Sequence, residues 1–202
     1  MRERILILGI GNVLWADEGF GVRCVERLAS QWALPPNVRV MDGGMQGLYL
    51  LPFLEEADTL IVFDAVDCGL PPGMLKVVEG EAVPAFMAAQ KISLHQTGFQ
   101  NVLATATLMG CRPADLMLIG CQPDEREDYD GSLRAVVADQ IGPGIDVALR
   151  KLRALGVTPR PGLSDPALLA DPAILRDACA AGRPSAETAC RIGDARVLPG
   201  RG

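Results

Sequence analysis

Three titratable side chains in this sequence have the residue types of a metal site. His95 is the only histidine of the chain and lies in the segment KISLHQTGFQ. Asp64 directly follows the apolar run LIVF, and Glu18 lies in GIGNVLWADEGFGV. Two carboxylates and one imidazole suit a borderline divalent metal that keeps open positions for water or substrate. Ligand type alone does not separate nickel from zinc, cobalt or manganese.

Each of these residues also has a purely structural interpretation. Acidic residues often lie at helix starts, so Asp17 is predicted to be an N-cap or close to one, and Glu18 is as often structural as functional. A lone histidine is more often structural than a ligand. Asp64 is different, because an ionised carboxylate in a buried strand is costly unless it is paired or metal-bound. The metal-site prediction therefore depends on the three residues occurring together.

Two other kinds of site compete with a metal site. GIGNVL resembles the start of a dinucleotide-binding loop, but Leu14 replaces the third glycine, and Asp17 and Glu18 would repel a pyrophosphate. Nucleophilic catalysis has no signature such as G-x-S-x-G, and a single histidine is present to activate a nucleophile. Cys68 stays an alternative because it is near Asp64 in sequence, although a buried or partly buried thiol is the favoured interpretation for all six cysteines.

The composition indicates one domain with an aliphatic core. The chain has 202 residues, of which 49% are hydrophobic and 4% aromatic, as in parallel sheets covered by helices. A net charge of −6 argues against nucleic acid or a membrane surface as a partner. No signal peptide, C-x-x-C pair or apolar run of roughly 20 residues is evident. We therefore expect a cytoplasmic protein with reduced thiols.

The elements that must position the polar residues follow from hydrophobic periodicity. Strands and helices alternate, which predicts βαβ units and a mostly parallel sheet with helices on both faces. Strands are predicted at 4–10, 37–44, 58–66, 73–80 and 115–123, and helices at 19–32, 47–57, 97–110 and 132–156. In such a sheet, ligands bind outside the carboxyl ends of the strands. We therefore expect Glu18, Asp42, Asp64 and the loop carrying His95 at one edge.

Three segments interrupt this alternation. The stretch that runs up to His95 is predicted to be rich in loops, and Gly142-Pro143-Gly144 is predicted to interrupt the last helix. The pattern stops near Gly156. We therefore predict an α/β domain over residues 1–156 and a weakly structured, proline- and glycine-rich tail over residues 157–202.

The polar segments together match a known family pattern. LGIGNVLWADEGFGV, MDGG, LIVFDAVD, KISLHQTGFQ and LIGCQP occur in this order across residues 3–155. On these segments the chain resembles the hydrogenase maturation endopeptidases. SLHQTGFQNVL and CRIGDARVL are most similar to the branch that serves membrane-bound uptake hydrogenases.

The resemblance implies a three-layer α/β sandwich around a twisted five-stranded sheet. It also implies an endopeptidase that removes a short C-terminal peptide from the large-subunit precursor of a nickel–iron hydrogenase after nickel insertion. The family's metal-contacting residues correspond to Glu18, Asp64 and His95, and the nickel is held by the substrate rather than kept by the enzyme. One departure is Met45, where the family usually has threonine after the two glycines.

The resemblance also defines expected roles and alternatives. Asn12, Asp17 and Asp42 are candidates for hydrogen bonds that orient the three metal-contacting residues. A non-catalytic nickel-sensing chaperone for the same precursor would need the same three residues. A nucleotide-binding domain would need affinity for NAD or ATP and none for a divalent metal.

Overall fold

The computed structural model describes residues 3–89, 94–126, 128–129 and 132–162, with no side-chain description at 89 and 94–97. The strands are β1 (Ile5–Ile10), β2 (Trp32–Ala33), β3 (Val38–Gly44), β4 (Thr59–Ala65), β5 (Leu75–Glu79), β6 (Asp115–Cys121) and β7 (Arg160–Pro161). The helices are α1 (Phe20–Gln31), α2 (Leu51–Glu55), α3 (Ala82–Ala89), α4 (Leu94–Met109), α5 (Ala135–Ala138) and α6 (Ile141–Ala154). Two 3₁₀ turns, Ala16–Gly19 and Gly47–Leu50, precede α1 and α2.

The main sheet has five strands in the order β3-β1-β4-β6-β5. The first four strands pair in parallel, and β5 runs antiparallel to β6 at one edge. Every residue of β1 and β4 is buried, as expected for central strands covered on both faces. The predicted α/β class and the mostly parallel five-stranded sheet are confirmed.

Two apolar clusters lie on opposite faces of this sheet. Alternate residues of each strand contribute to opposite clusters, because side chains of a strand point to its two faces in turn. Ile7 and Ile61 pack with α1 and α6, whereas Leu8 and Val62 pack with α2, α3 and α4. The helices therefore form a layer on each side, and the three-layer sandwich is confirmed.

Helix α1 packs unusually close to the strand ends. A Cβ atom on Gly21 would lie 2.2 Å from the carbonyl oxygen of Phe63 and 2.3 Å from that of Ile10. Gly9 has the same role on the strand side, since its Cβ would lie 2.3 Å from the carbonyl oxygen of Gly21. This pair of glycines brings the start of α1, and the turn before it, onto the ends of β1 and β4.

Replacing Gly21 by alanine is expected to lower the free energy of unfolding by about 3 kcal/mol, because the new methyl group would force backbone apart. Denaturant titration of Gly21→Ala and of a control variant, each against the wild type, measures the change in the free energy of unfolding. Gly142→Ala is the matched control, since its added Cβ meets nothing within 4 Å. Equal stabilities of the Gly21→Ala protein and the wild type would contradict the close packing of α1.

Two local predictions are wrong. The stretch before His95 contains α3, and α4 begins at Leu94 rather than at residue 97. The break in the last predicted helix lies before Ile141, so that Gly142-Pro143-Gly144 is the first turn of α6. Proline is tolerated in a first turn, where its missing N–H has no partner within the helix.

The first residues of the predicted tail pack on the domain. Val157 is buried with the α1 and α6 cluster, and β7 pairs antiparallel with β2. The remainder of the predicted tail, residues 163–202, lies outside the described residues. Among the described residues, no helix has the length and apolar character needed to cross a membrane.

Candidate functional site

Glu18 lies in the 3₁₀ turn between β1 and α1, and its side chain is half-buried. The close approach of this turn to the end of β1 requires a glycine at residue 11. Its φ is 138°, and a Cβ there would lie 1.8 Å from the carbonyl oxygen of Glu18. A side chain at residue 11 would therefore displace the turn that carries Glu18. The first part of the GIGN motif is explained by this packing rather than by phosphate binding.

Asp64 is the penultimate residue of β4 and is completely buried. It pairs in register with Gly120 of β6, one residue beyond the pairing of Gly9 with Phe63. This position is the carboxyl end of the parallel strands, as predicted. The 3₁₀ turn Ala16–Gly19 packs on β4, so the structure brings the Glu18 turn and Asp64 to the same edge of the sheet.

His95 is the second residue of α4, and its side chain is not among those described. The helix packs along the 3₁₀ turn Gly47–Leu50, which follows β3. At Gly98 an added Cβ would lie 3.7 Å from the Cα atom of Gly47. The first turn of α4 is therefore at the edge where Glu18 and Asp64 lie. Within the described side chains, no three His, Cys, Asp or Glu residues form a metal-binding group, so the contact of His95 with the two carboxylates stays a prediction.

Asp17 links two loops of this edge. Its fully buried carboxylate accepts hydrogen bonds from the backbone N–H groups of Asp124 and Glu125, both at 2.9 Å, and of Arg134 at 2.7 Å. Asp17 is close to an N-cap, as predicted, but is not the cap itself: the cap positions are Trp15 and Gly19, and Asp17 lies in the first turn of the 3₁₀ helix. The carboxylate instead connects the Glu18 turn to the segment after β6.

Replacing Asp17 by alanine is expected to lower the free energy of unfolding by about 3 kcal/mol, because three backbone N–H groups would lose a buried, charged acceptor. Asp17→Asn should cost less, since one acceptor oxygen remains. Asp124→Ala is the control, because Asp124 has an exposed side chain and uses its backbone N–H in this contact. Denaturant titration distinguishes the three variants, and equal losses for Asp17→Ala and Asp124→Ala would contradict the linking role.

Strain in the turn is localised at Ala16. Its φ is 30°, in the left-handed region that residues with a Cβ rarely adopt, although the residue is buried. Trp15, immediately before it, is partly exposed and makes an edge-to-face contact with Tyr129, with ring centroids 5.4 Å apart. The contacts of Trp15 and Asp17 on either side of Ala16 hold this conformation.

Asn12 and Asp42 line the neighbouring part of the edge. The Asn12 side-chain oxygen accepts a hydrogen bond from the Leu14 N–H at 3.0 Å, which closes the loop after β1. Burial raises the pKa of Asp42, although a backbone N–H of Gly44 and the charge of Arg23 act in the opposite direction. Orientation of metal-contacting side chains by these two residues, or by Asp17, stays a prediction.

Gln122 has a positioning role that the sequence reasoning missed. Its Oε1 atom accepts hydrogen bonds from the N–H groups of Cys68 at 2.9 Å and Leu70 at 3.2 Å. Its Nε2 atom donates to Asp67 at 3.1 Å. Gln122 is the fifth residue of the LIGCQP motif, which the sequence analysis singled out without assigning a role to this side chain. Gln122 fixes the loop that follows Asp64.

The cysteine thiols fit the structural interpretation. Cys24 and Cys121 are buried, whereas Cys68 and Cys111 are half-buried, and all four are free thiols. Burial raises the pKa of the Cys121 thiol to about 12 and that of Cys68 above its ordinary value. A thiolate nucleophile is disfavoured under these conditions. Cys179 and Cys190 lie outside the described residues.

Comparison with known proteins shows what class of protein has this fold and this arrangement of loops. Residues 22–151 match the family model described as hydrogenase maturation protease. The chain belongs to the hydrogenase maturation protease family, and it is therefore an endopeptidase of that class.

Individual relatives agree with this assignment. The chain is 63% identical to the hydrogenase expression/formation protein HupD of Rhodobacter capsulatus. The alignment spans 197 residues, which are 98% of this chain and 94% of HupD. It is 39% identical to the hydrogenase 2 maturation protease of Escherichia coli, over 80% of this chain and 99% of that protein. The solved structure of the hydrogenase maturating endopeptidase HybD from E. coli superposes with a TM-score of 0.74 at 38% identity, over 80% of this chain and 98% of HybD.

Proposed function

We propose that this protease removes a C-terminal peptide from the nickel-loaded large-subunit precursor of a nickel–iron hydrogenase. The observation that carries the proposal is the convergence of the Glu18 turn, Asp64 and the first turn of α4 on one sheet edge. These elements come from distant parts of the chain. A family member with this edge has the residues to bind a metal ion presented by its substrate.

The residues fit a nickel ion that belongs to the precursor. Asp64 is a carboxylate with no exposure to solvent, and a cation is the kind of partner that offsets the cost of burying such a charge. Glu18 is half-buried and lies in the turn that packs on β4 at the same edge. Together with the imidazole of His95, these oxygens give the mixed ligand set that nickel accepts.

This arrangement makes cleavage conditional on metal insertion. The precursor gains binding free energy from Glu18, Asp64 and His95 only when it carries nickel with open coordination positions, because these contacts exist only in that state. A metal ion placed there also has the chemistry to polarise a carbonyl group or to lower the pKa of a bound water. We propose that the reaction takes place in the cytoplasm, without nucleic acid or membrane as partner.

The test compares nickel-loaded, nickel-free and zinc-loaded precursor after incubation with the protein. Intact-mass spectrometry is expected to show loss of a C-terminal peptide from the nickel-loaded form alone. Binding of the loaded precursor without loss of mass would favour the nickel-sensing chaperone instead. If the nickel-free precursor is cleaved at the same rate as the nickel-loaded one, Glu18, Asp64 and His95 do not recognise the nickel of the precursor.

A further inference from the structure

Exposed apolar side chains are concentrated at the carboxyl edge of the main sheet. Among the described residues, eleven large hydrophobic side chains are exposed, and six of them lie in the segments that follow β1, β3 and β6. These six are Leu14, Trp15, Met45, Leu48, Tyr49 and Tyr129. They include both tyrosines of the chain and one of its two tryptophans. Because tyrosine and tryptophan contribute most to binding at protein interfaces, this edge has the side chains of a docking surface.

Three of the six residues form one group, the β3 patch, which consists of Met45, Leu48 and Tyr49. Residues 43–54, which contain this patch, include no charged side chain. Met45 stands where the family usually has a threonine, so this departure adds an exposed thioether to the patch. The 3₁₀ turn that carries Leu48 and Tyr49 packs against α4. The β3 patch is therefore next to the first turn of α4, which contains His95.

The other three residues form the Trp15 patch, which consists of Leu14, Trp15 and Tyr129. The edge-to-face contact between Trp15 and Tyr129 joins the segment after β1 to the segment after β6. The backbone carbonyl of Trp15 accepts a hydrogen bond from the N–H of Glu18 at 2.9 Å. The Trp15 patch is therefore fixed to the turn that carries the Glu18 carboxylate.

The two patches extend from one side of the proposed metal site to the other. The β3 patch follows an edge strand, whereas Tyr129 follows β6, and β1 and β4 lie between these two strands. Three strand spacings separate β3 from β6, which is about 14 Å. Asp64 at the end of β4 lies within this interval. A surface that borders a site on two sides fits a broad, folded partner better than a single extended chain.

The charged side chains beside the Trp15 patch are paired within the chain. The guanidinium of Arg126 lies 3.0 Å from the carboxylate of Asp67, and that of Arg134 contacts Asp128, next to Tyr129. Because these charges already have partners, a docked protein does not need to neutralise them. An apolar centre with a polar border is the usual composition of a protein interface. The complementary face of the partner is therefore expected to be apolar and uncharged.

We propose that the β3 patch and the Trp15 patch together dock the folded body of the precursor, at an apolar face around its metal ion. The proposal rests on the proposed function, because the precursor is the partner that must reach Glu18, Asp64 and His95. The patches contact parts of the precursor away from its cleavage position. Docking on both sides of the site selects the protein that is cleaved, whereas the metal determines when it is cleaved.

The test measures cleavage and binding of full-length precursor by variants of the two patches. Tyr49→Ala and Tyr129→Ala are each expected to raise KM for the nickel-loaded precursor about tenfold at unchanged kcat, the scale of losing an aromatic anchor. Biolayer interferometry should show that both variants also bind the nickel-free precursor about tenfold more weakly, because docking does not need the metal. Tyr49 and Tyr129 are 83% and 64% exposed, so these replacements leave the core unchanged.

The far end of α4 offers a matched control. Met45→Ala combined with Leu48→Ala removes two exposed apolar side chains of the β3 patch, and Leu108→Ala combined with Met109→Ala removes the same two residue types elsewhere. The second pair ends α4, on the order of 20 Å from its first turn. We expect a higher KM for the first double variant alone. Equal KM values for the two double variants, or a wild-type KM for either tyrosine variant, would overturn the docking surface.

Two further outcomes separate this proposal from its alternatives. A wild-type dimer in solution that Tyr49→Ala converts to a monomer, with precursor binding unchanged, would assign the patches to self-association and overturn the proposal. Patch-dependent binding of the precursor without cleavage of its nickel-loaded form would support the docking surface and contradict the proposed function. Size-exclusion chromatography with light scattering and intact-mass spectrometry provide these two measurements.

Discussion

Asp64→Asn is expected to abolish cleavage of the nickel-loaded precursor while the protein stays folded. The substitution keeps the shape of a completely buried side chain but removes the negative charge that the proposed role as a metal ligand requires. If Asp64 is one of three metal-contacting groups, as proposed, its loss should lower kcat/KM by about a thousandfold or more, the scale of losing a main catalytic interaction. Mass spectrometry of the precursor measures the rate, and circular dichroism reports the fold.

The control for Asp64→Asn is Asp58→Asn, just before the same strand. Asp58 is a solvent-exposed partner of Arg4, whose guanidinium beside it lowers the pKa of the Asp58 carboxyl to about 2. This control removes a charge near the amino end of β4, away from the proposed site. Full activity of Asp64→Asn would show that Asp64 is not one of the proposed metal-contacting residues. The buried carboxylate would then have a structural role.

His95→Ala is expected to have a similar effect on activity. His95 is the single histidine of the chain, so no other imidazole within the protein can replace it. Added imidazole should restore part of the rate if the ring acts as a metal ligand, because the free ligand can occupy the vacated position. The measurement is the cleavage rate of nickel-loaded precursor with and without imidazole.

Leu108→Ala is the control on the same helix. Leu108 is 90% exposed near the end of α4 and far from its first turn, so its replacement should leave cleavage unchanged. If His95→Ala cleaves the precursor at the wild-type rate, the imidazole has no place in the mechanism. A loss of activity that imidazole does not reduce, together with a lowered melting temperature, would indicate a structural role at the start of α4.

The sequence predicted the central sheet well because its strands are unbroken apolar runs. β1 and β4 are buried on both faces, and this environment admits few other patterns. The placement of Glu18 and Asp64 at the carboxyl edge followed from the same parallel topology. Both features follow from apolar runs that a single sequence shows and from the general rule that ligands bind at the carboxyl ends of parallel strands.

The errors have a common physical origin at helix starts. The stretch before His95 was predicted to be rich in loops, and Gly142-Pro143-Gly144 to interrupt a helix. The structure places Pro84 in the first turn of α3 and Pro143 in the first turn of α6. A proline there removes an N–H that no helical carbonyl would accept. Sequence alone does not show whether a proline stands before, within or after the first turn, so α3 was missed and α6 was divided at the wrong place.

The role of Asp17 could not be predicted because its partners are distant in sequence. Its acceptor bonds reach backbone groups more than a hundred positions away, at residues 124, 125 and 134. Nothing in the ADEG segment indicates that these N–H groups will be near. The same holds for the hydrogen bonds of Gln122, which form only after separate loops have packed together.

The adjacency of β1 and β4 has a consequence for biosynthesis. The Glu18 turn follows β1, whereas Asp64 ends β4, and β3 with its connections lies between them in the chain. The Glu18 turn and Asp64 come to the same edge only when the centre of the sheet closes. A nascent or partly folded enzyme therefore lacks the proposed metal site, and formation of that site is coupled to formation of the native sheet.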